Sequence, residues 1–238
     1  MKILVACEYS GIVRDAFIKK GHNAISCDIL PSESDLGEHY QGDVMDILYE
    51  DWDMMIAHPP CTYLSVSGCT WLYHPEDKHL PTDQRRPHPS YPNRRQDQQD
   101  ALDFVRTLLN APIEKIALEN PVSVISSKLR KPSQTIQPYQ FGHPEQKRTC
   151  LWLKNLPLLK ETNNVYDYMM TLPIKERQRI HWLGGGKGKE RSKFFTGFAK
   201  AMAEQSTSDH SWLWLRKAFL FALHFHGLLA YRCTQWWR

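Results

Sequence analysis

Residues 2–30, KILVACEYSGIVRDAFIKKGHNAISCDIL, decide the fold. The run from Lys2 to Ala6 is short, apolar and β-rich. Gly11 then sits at a turn, Ile12, Ala16 and Phe17 recur at helical spacing, and Gly21 closes the helix. Residues 24–30, AISCDIL, read as a second strand. A strand, a helix and a strand in so short a stretch make a βαβ unit, which obliges the two strands to run parallel.

Outward from that unit the alternation continues. GDVMDI is followed by a strand over residues 52–57, a long polar segment over 65–95, an amphipathic helix in DQQDALDFVRTLLN (97–110) and a strand in KIALEN (115–120). Strands alternating with helices predict a doubly wound, mostly parallel α/β sheet. In such sheets ligands sit beyond the carboxyl ends of the strands, where Gly11, Asp28, Asp43, Cys61 and Glu119 all fall. After Pro121 the pattern changes: SQTIQPYQFG, RTCLWL and NVYDYMM read as short strands and loops, followed by helices over 174–182 and 193–205.

With 238 residues, the chain has room for one large α/β domain plus an appendage. Hydrophobic residues at 42% and charged residues at 24% fit a folded globular chain and exclude a disordered one. The net charge of +4 is mildly basic, so its distribution matters more than its size. Two basic loops stand out, QRRPHPSYPNRRQ (84–96) and GGGKGKERSK (184–193). Either alone reads as a solvated loop; two beside a candidate site favour phosphate contacts. GGGKGKE is no phosphate-binding P-loop, because Leu183 stands where the first glycine is required and Glu190 where Ser or Thr must bind magnesium.

The six cysteines show no paired spacing, and MKILVA enters a strand directly, so a reducing cytoplasm is expected and a disulfide framework is not. His74, His79, His88 and Cys69 match no zinc-ligand spacing, and no metal is expected. Residues 206–238 differ in composition, with four tryptophans and the apolar run AFLFALHFHGLLAY, too short to span a bilayer unaided. That tail is expected to be helical and to dock on a partner or a membrane surface. No obligate protein partner is evident.

The turn ACEYSGIVRDAF resembles a nucleotide-cofactor loop without the repeated glycines. Asp28 ends the second strand, where an acidic residue takes ribose hydroxyls, and Asp43 is placed to accept from an adenine amino group. The alternative is that both acids simply cap helices. In IAHPPCTYLS, two prolines that cannot donate backbone hydrogen bonds stop the strand and project Cys61 into a loop. Glu119, in ALENP, follows a second strand. A carboxylic acid beside a thiol makes chemical sense when the substrate must be protonated as the thiol attacks, which points to addition to an electron-poor ring. Gln146 and Arg148, in EQKRTCLWL, precede a further strand, and the arginine can hold a carboxylate, a phosphate or a base carbonyl.

Taken in order, LVACEYSGIVRDAF, CDIL, GDV, PPCTYLS, ALENP, QKRTCLWL and RSKFFTGFAKAMAEQ resemble the motifs of DNA (cytosine-5) methyltransferases, especially the compact phage and prophage forms, over residues 2–205. The resemblance implies a class I fold binding S-adenosylmethionine, with double-stranded DNA as partner, in the cytoplasm of a bacterium or phage-infected cell. It implies that Cys61 adds to ring carbon 6 of a flipped-out cytosine, that Glu119 holds and protonates ring nitrogen 3, and that Arg148 orients base and thiol. Cofactor contacts carry over to Tyr9, Ser10, Gly11, Asp28, Asp43 and Pro59. Contacts to DNA are expected from Ser65, Arg85, Arg86, Arg94, Arg95, Asn120, Gln146, Lys187 and Lys189.

The chain departs from the family's pattern in several places. The first motif lacks the usual Phe and second Gly, Cys150 replaces a second arginine, and Pro121 replaces a common Val. The target-recognition region, residues 155–190, is much reduced, so either specificity is loose or reading falls to the loop over 62–95 and the segment 122–144. Rival readings are an enzyme acting on RNA or pyrimidine nucleotides, and an inactive nucleic-acid-binding relative.

Overall fold

Ile3, Leu4, Val5 and Ala6 have no exposed surface, which requires a strand covered on both faces. The computed structural model describes residues 1–183 and 187–207. The tail from residue 208 and the glycines at 184–186 lie outside the described residues. The strands are β1 (Lys2–Ala6), β2 (Asn23–Asp28), β3 (His39–Gln41), β4 (Met54–Ala57), β5 (Lys115–Pro121), β6 (Gln134–Ile136) and β7 (Thr149–Lys154). The helices are α1 (Ile12–Ile18), α2 (Arg94–Leu109), α3 (Ile125–Lys128), α4 (Tyr166–Thr171), α5 (Ile174–Arg177), α6 (Arg179–Trp182), α7 (Gly188–Ser192) and α8 (Thr196–Gln205).

The sheet order is β3-β2-β1-β4-β5-β7-β6. The first five strands in that order pair in parallel, and β7 runs antiparallel between β5 and β6. The fold is therefore a doubly wound, mostly parallel α/β sheet of the class I type. From β1 the chain builds outward to β2 and β3, then crosses back to lay β4 and β5 on the other side. The reversal leaves a crevice at the carboxyl ends of β1 and β4.

Strand alternation sorts the core into two layers. Leu4, Met55, Leu118 and Trp152 face α2 through Leu102, Val105 and Leu108. Ile3, Val5, Ile56, Ala117 and Leu151 face α1 and α8 through Val13, Phe17, Phe198 and Met202. Gly197 lets α8 dock: a Cβ there would run into the Phe141 carbonyl oxygen. His143 closes the same junction, since Nε2 accepts from the Gly197 amide at 2.9 Å at the start of α8.

The structure differs from the sequence reading after Pro121. NVYDYMM, expected as strand or loop, contains α4, because Asn164 Oδ1 accepts from the Tyr166 amide at 3.0 Å and Met169 is fully buried. The helix expected over 174–182 breaks at Gln178 into α5 and α6, and the one expected from Lys193 starts at Thr196. Residues 66–84 fold into three short 3-10 segments rather than open loop.

Candidate active site

The site begins where β4 ends. The His58 amide donates to the Ala6 carbonyl at 2.9 Å, continuing the ladder to β1. Pro59 and Pro60 donate nothing, so pairing stops. The chain then turns tightly, with the Leu64 and Ser65 amides both donating to the Cys61 carbonyl, at 3.1 and 2.9 Å. Cys61 is left exposed at the head of that turn. Two hydrogen bonds tie this exit to β5: Asn120 Nδ2 donates to the Pro59 carbonyl at 2.9 Å, and His58 Nδ1 lies 3.3 Å from Glu119 Oε2. Asn120, expected at the DNA, is buried and serves here as a clamp between strands.

The charges around the pair are set by burial and three neighbours. Burial pushes the Glu119 carboxyl up, but the His58 hydrogen bond and the charges of Lys147 and His58 outweigh it and leave the group below the ordinary glutamate value. Cys61 moves the other way: loss of solvation and the Glu119 charge raise the thiol, against Lys147, a backbone hydrogen bond and Arg191. The stable arrangement at neutral pH is a thiol beside a carboxylate.

Lys147, which the sequence reading passed over, is the cation whose charge reaches both groups. Pairing of Glu119 with Leu151 and of Pro121 with Thr149 explains this, because alternation carried back from Thr149 puts Lys147 on the face of Glu119. Arg148 falls on the opposite face, is exposed, and acts electrostatically on Cys150. Gln146 is held by α5 and its exit, through its amide on the Arg177 carbonyl at 2.6 Å and its Oε1 accepting from Gln178 at 3.0 Å.

The expected cofactor residues meet at the carboxyl ends of β1 and β2. Gly11 has φ 73°, and a Cβ would lie 2.7 Å from Arg14 Nη2 and 2.8 Å from Ser34 Cβ, so the turn admits only glycine without strain. Glu8, buried and unremarked in the sequence, accepts from the Val13 and Arg14 amides at 2.7 and 3.1 Å and so caps α1. Ser10 bonds Glu8, and the Tyr9 hydroxyl donates to the Lys189 carbonyl at 2.8 Å. Arg14, wholly buried, pairs with Asp15 and bonds Ser26, Ser32 and Ser34, which shapes the loop after β2.

Asp28 Oδ1 accepts from the Leu30 amide at 2.9 Å, and Asp43 Oδ1 from the Met45 amide at 3.0 Å. The capping alternative thus describes one oxygen of Asp43, at the start of a short 3-10 segment, whereas Asp28 closes a turn and no helix. Both acids also help to raise the thiols of half-buried Cys7 and buried Cys27, the latter to about 12, after loss of solvation itself. The edge is electronegative.

In the loop over 62–95 the arginines work on their own chain. Arg86 makes a forked ion pair with buried Asp77, its shortest contact 2.6 Å, and this holds the Asp77 carboxyl well below the usual range. Arg85 donates to the Leu80 and Lys78 carbonyls, and Arg94 to those of Gly68 and Thr62 while lying over Tyr63. Arg95 is exposed over the Tyr73 ring. Ser65 bridges to Ser123, and Lys187 and Lys189 are exposed on α7 and its approach. His88 packs against Trp71 and Tyr91, and among the described residues no group of His, Cys, Asp or Glu is placed to hold a metal ion. No helix among the described residues is long and apolar enough to cross a membrane.

No family model and no curated protein matches the chain. Among solved structures it is similar to a protein described as a DNA modification methyltransferase encoded within an E. coli prophage, at 14% identity and TM-score 0.39, covering 73% of this chain and 56% of that one. It is also similar to a substituted DNMT2 of Spodoptera frugiperda, at 15% identity and TM-score 0.34, covering 69% and 54%. The chain spans just over half the length of either structure. At such scores the likeness carries no weight of its own, and function rests on the sheet order and the geometry of the site.

Proposed function

We propose that the chain is a DNA (cytosine-5) methyltransferase using S-adenosylmethionine. The observation that carries this reading is the placement of Cys61 in the turn after β4, with Glu119 on the neighbouring parallel strand β5, the two elements clamped by the Asn120 and His58 hydrogen bonds. A thiol that keeps its proton and a carboxylate that has lost one hold together the single proton that addition to a pyrimidine ring must move.

The edge of β1 and β2 fits the cofactor. Its acidic groups favour a cationic sulfur, Gly11 leaves the backbone open to close approach, and one oxygen each of Asp28 and Asp43 accepts no hydrogen bond among the described residues. When bound, S-adenosylmethionine supplies an electrophilic methyl group.

With a cytosine flipped out of the duplex, Cys61 Sγ bonds ring carbon 6 and its proton passes to Glu119. Glu119 delivers that proton to ring nitrogen 3, where the displaced electron pair arrives, so carbon 5 becomes the nucleophilic end of an enamine. Carbon 5 takes the methyl group. Loss of the carbon 5 proton to solvent, and return of the nitrogen 3 proton through Glu119 to the departing sulfur, restore the ring and the thiol. Lys147 favours the ionised form of each partner as the proton moves.

Transfer of tritiated methyl groups to duplex DNA, RNA and dCMP tests this reading. Label on carbon 5 of cytosine in duplex DNA is expected. Label on RNA or dCMP alone would move the substrate class, and label on none would contradict the reading.

A further inference from the structure

His58 has no part in the proton path from Cys61 to the ring, yet it touches the group that moves the proton. It follows β4 directly, its backbone fixed by the bond to Ala6. Alternation puts its side chain on the face of Ile56 and Met54, the face Glu119 shares with Ala117. Its ring meets Phe194 edge-on, with centroids 4.8 Å apart. Nδ1 lies 3.3 Å from Glu119 Oε2, and Nε2 is buried with no hydrogen-bond partner among the described residues.

An ionised carboxylate only accepts, so Nδ1 carries the hydrogen between the two side chains.

The geometry points to His58 as a positioning residue that holds Glu119 Oε2 and so presents Oε1 to the base. Oε1 accepts no hydrogen bond among the described residues and is not a buried atom left without a partner, so it stays open. This inference rests on the reading of Glu119 as the proton carrier to ring nitrogen 3. The titratable groups that act on Glu119 or feel its charge are His58 at the exit of β4, Lys147 ahead of β7, Cys61 in the turn and, from the opposite face of β7, Cys150. Without His58, only Lys147 among them favours the carboxylate against burial, and the carboxyl rises.

The test is the rate of covalent adduct formation with duplex DNA containing 5-fluorocytosine, in the presence of S-adenosylmethionine, followed against pH. His58→Asn keeps an N–H donor near the Nδ1 position, whereas His58→Gln moves it toward Phe194. His58→Asn is expected to stay close to wild type. His58→Gln is expected to slow adduct formation about ten- to hundredfold, with its acid limb moved to higher pH and DNA binding unchanged. On a Glu119→Gln background the same substitution is expected to cost nothing further. A folded His58→Gln protein with wild-type rate and acid limb, or an equal further loss on the Glu119→Gln background, overturns the inference. Should His58→Gln not fold, His58→Leu, which keeps bulk against Phe194, decides by the same criteria. An absence of adduct in the wild-type protein instead overturns the reading of Glu119 and Cys61 itself.

Discussion

The proton shared by Cys61 and Glu119 sets what each can be asked to do. Their ionisations are pushed apart, Glu119 downward and Cys61 upward, so the one-proton state spans neutral pH. The rate of adduct formation is expected to be flat from above the ordinary carboxylate value, about 4.3, to beyond the ordinary thiol value, about 8.5. A stopped-time pH series measures this, and an optimum confined near pH 8.5 would count against the assignment. Lys147→Met should move both limits of the plateau to higher pH by raising both groups, while Arg148→Met should leave its limits in place. Cys61 was legible because two prolines must end a strand, and Glu119 because ALENP ends another. Lys147 was not, because choosing between adjacent basic residues needs the register of β7 against β5. Nor was His58, since its contact lies 61 residues away in sequence.

Among the elements, the first βαβ unit carried its own punctuation and folded as read. The glycines that set how elements meet were partly legible. Gly11 marked a turn, and Gly11→Ala is expected to cost about 1–3 kcal/mol through its left-handed backbone and crowding by Arg14 and Ser34. Urea unfolding with and without S-adenosylmethionine would show both the loss of stability and weaker cofactor binding. Gly197 gave no signal in sequence, because only the approach of Phe141 demands it. His143 holds the start of α8 as a neutral acceptor, and burial lowers its pKa below 6.5. The folded form then binds fewer protons than the unfolded one, so its contribution is complete above about pH 6.5 and lost as pH falls through the lower folded value. The fall in urea midpoint between pH 7 and pH 5 should therefore be smaller in His143→Gln than in wild type. α4 was missed because an Asn164 hydrogen bond just ahead of the helix and one buried methionine outweigh the strand preference of Val and Tyr.

At the scale of the molecule, the alternation of strands and helices announced the parallel sheet, while the antiparallel β7 between β5 and β6 came from pairing that no local pattern encodes. The basic loop over 62–95 shows a similar limit. Its arginines were visible as charge, but whether a guanidinium faces phosphate or its own backbone depends on tertiary contacts. Arg86→Ala, which strips buried Asp77 of its partner, is expected to open the loop to limited proteolysis. Arg95→Ala should leave the loop intact and lower the slope of log affinity against log salt by about 0.9 if it contacts one phosphate. The central claim, that a thiol at the end of β4 attacks a cytosine held by a carboxylate on β5, is tested most directly by trapping. Incubated with S-adenosylmethionine and duplex DNA carrying 5-fluorocytosine, the wild-type chain should form a denaturation-resistant complex whose peptide–nucleotide cross-link maps to Cys61, and Cys61→Ala should form none. A wild-type protein that forms no complex, or a Cys61→Ala protein that forms it equally well, would contradict the claim.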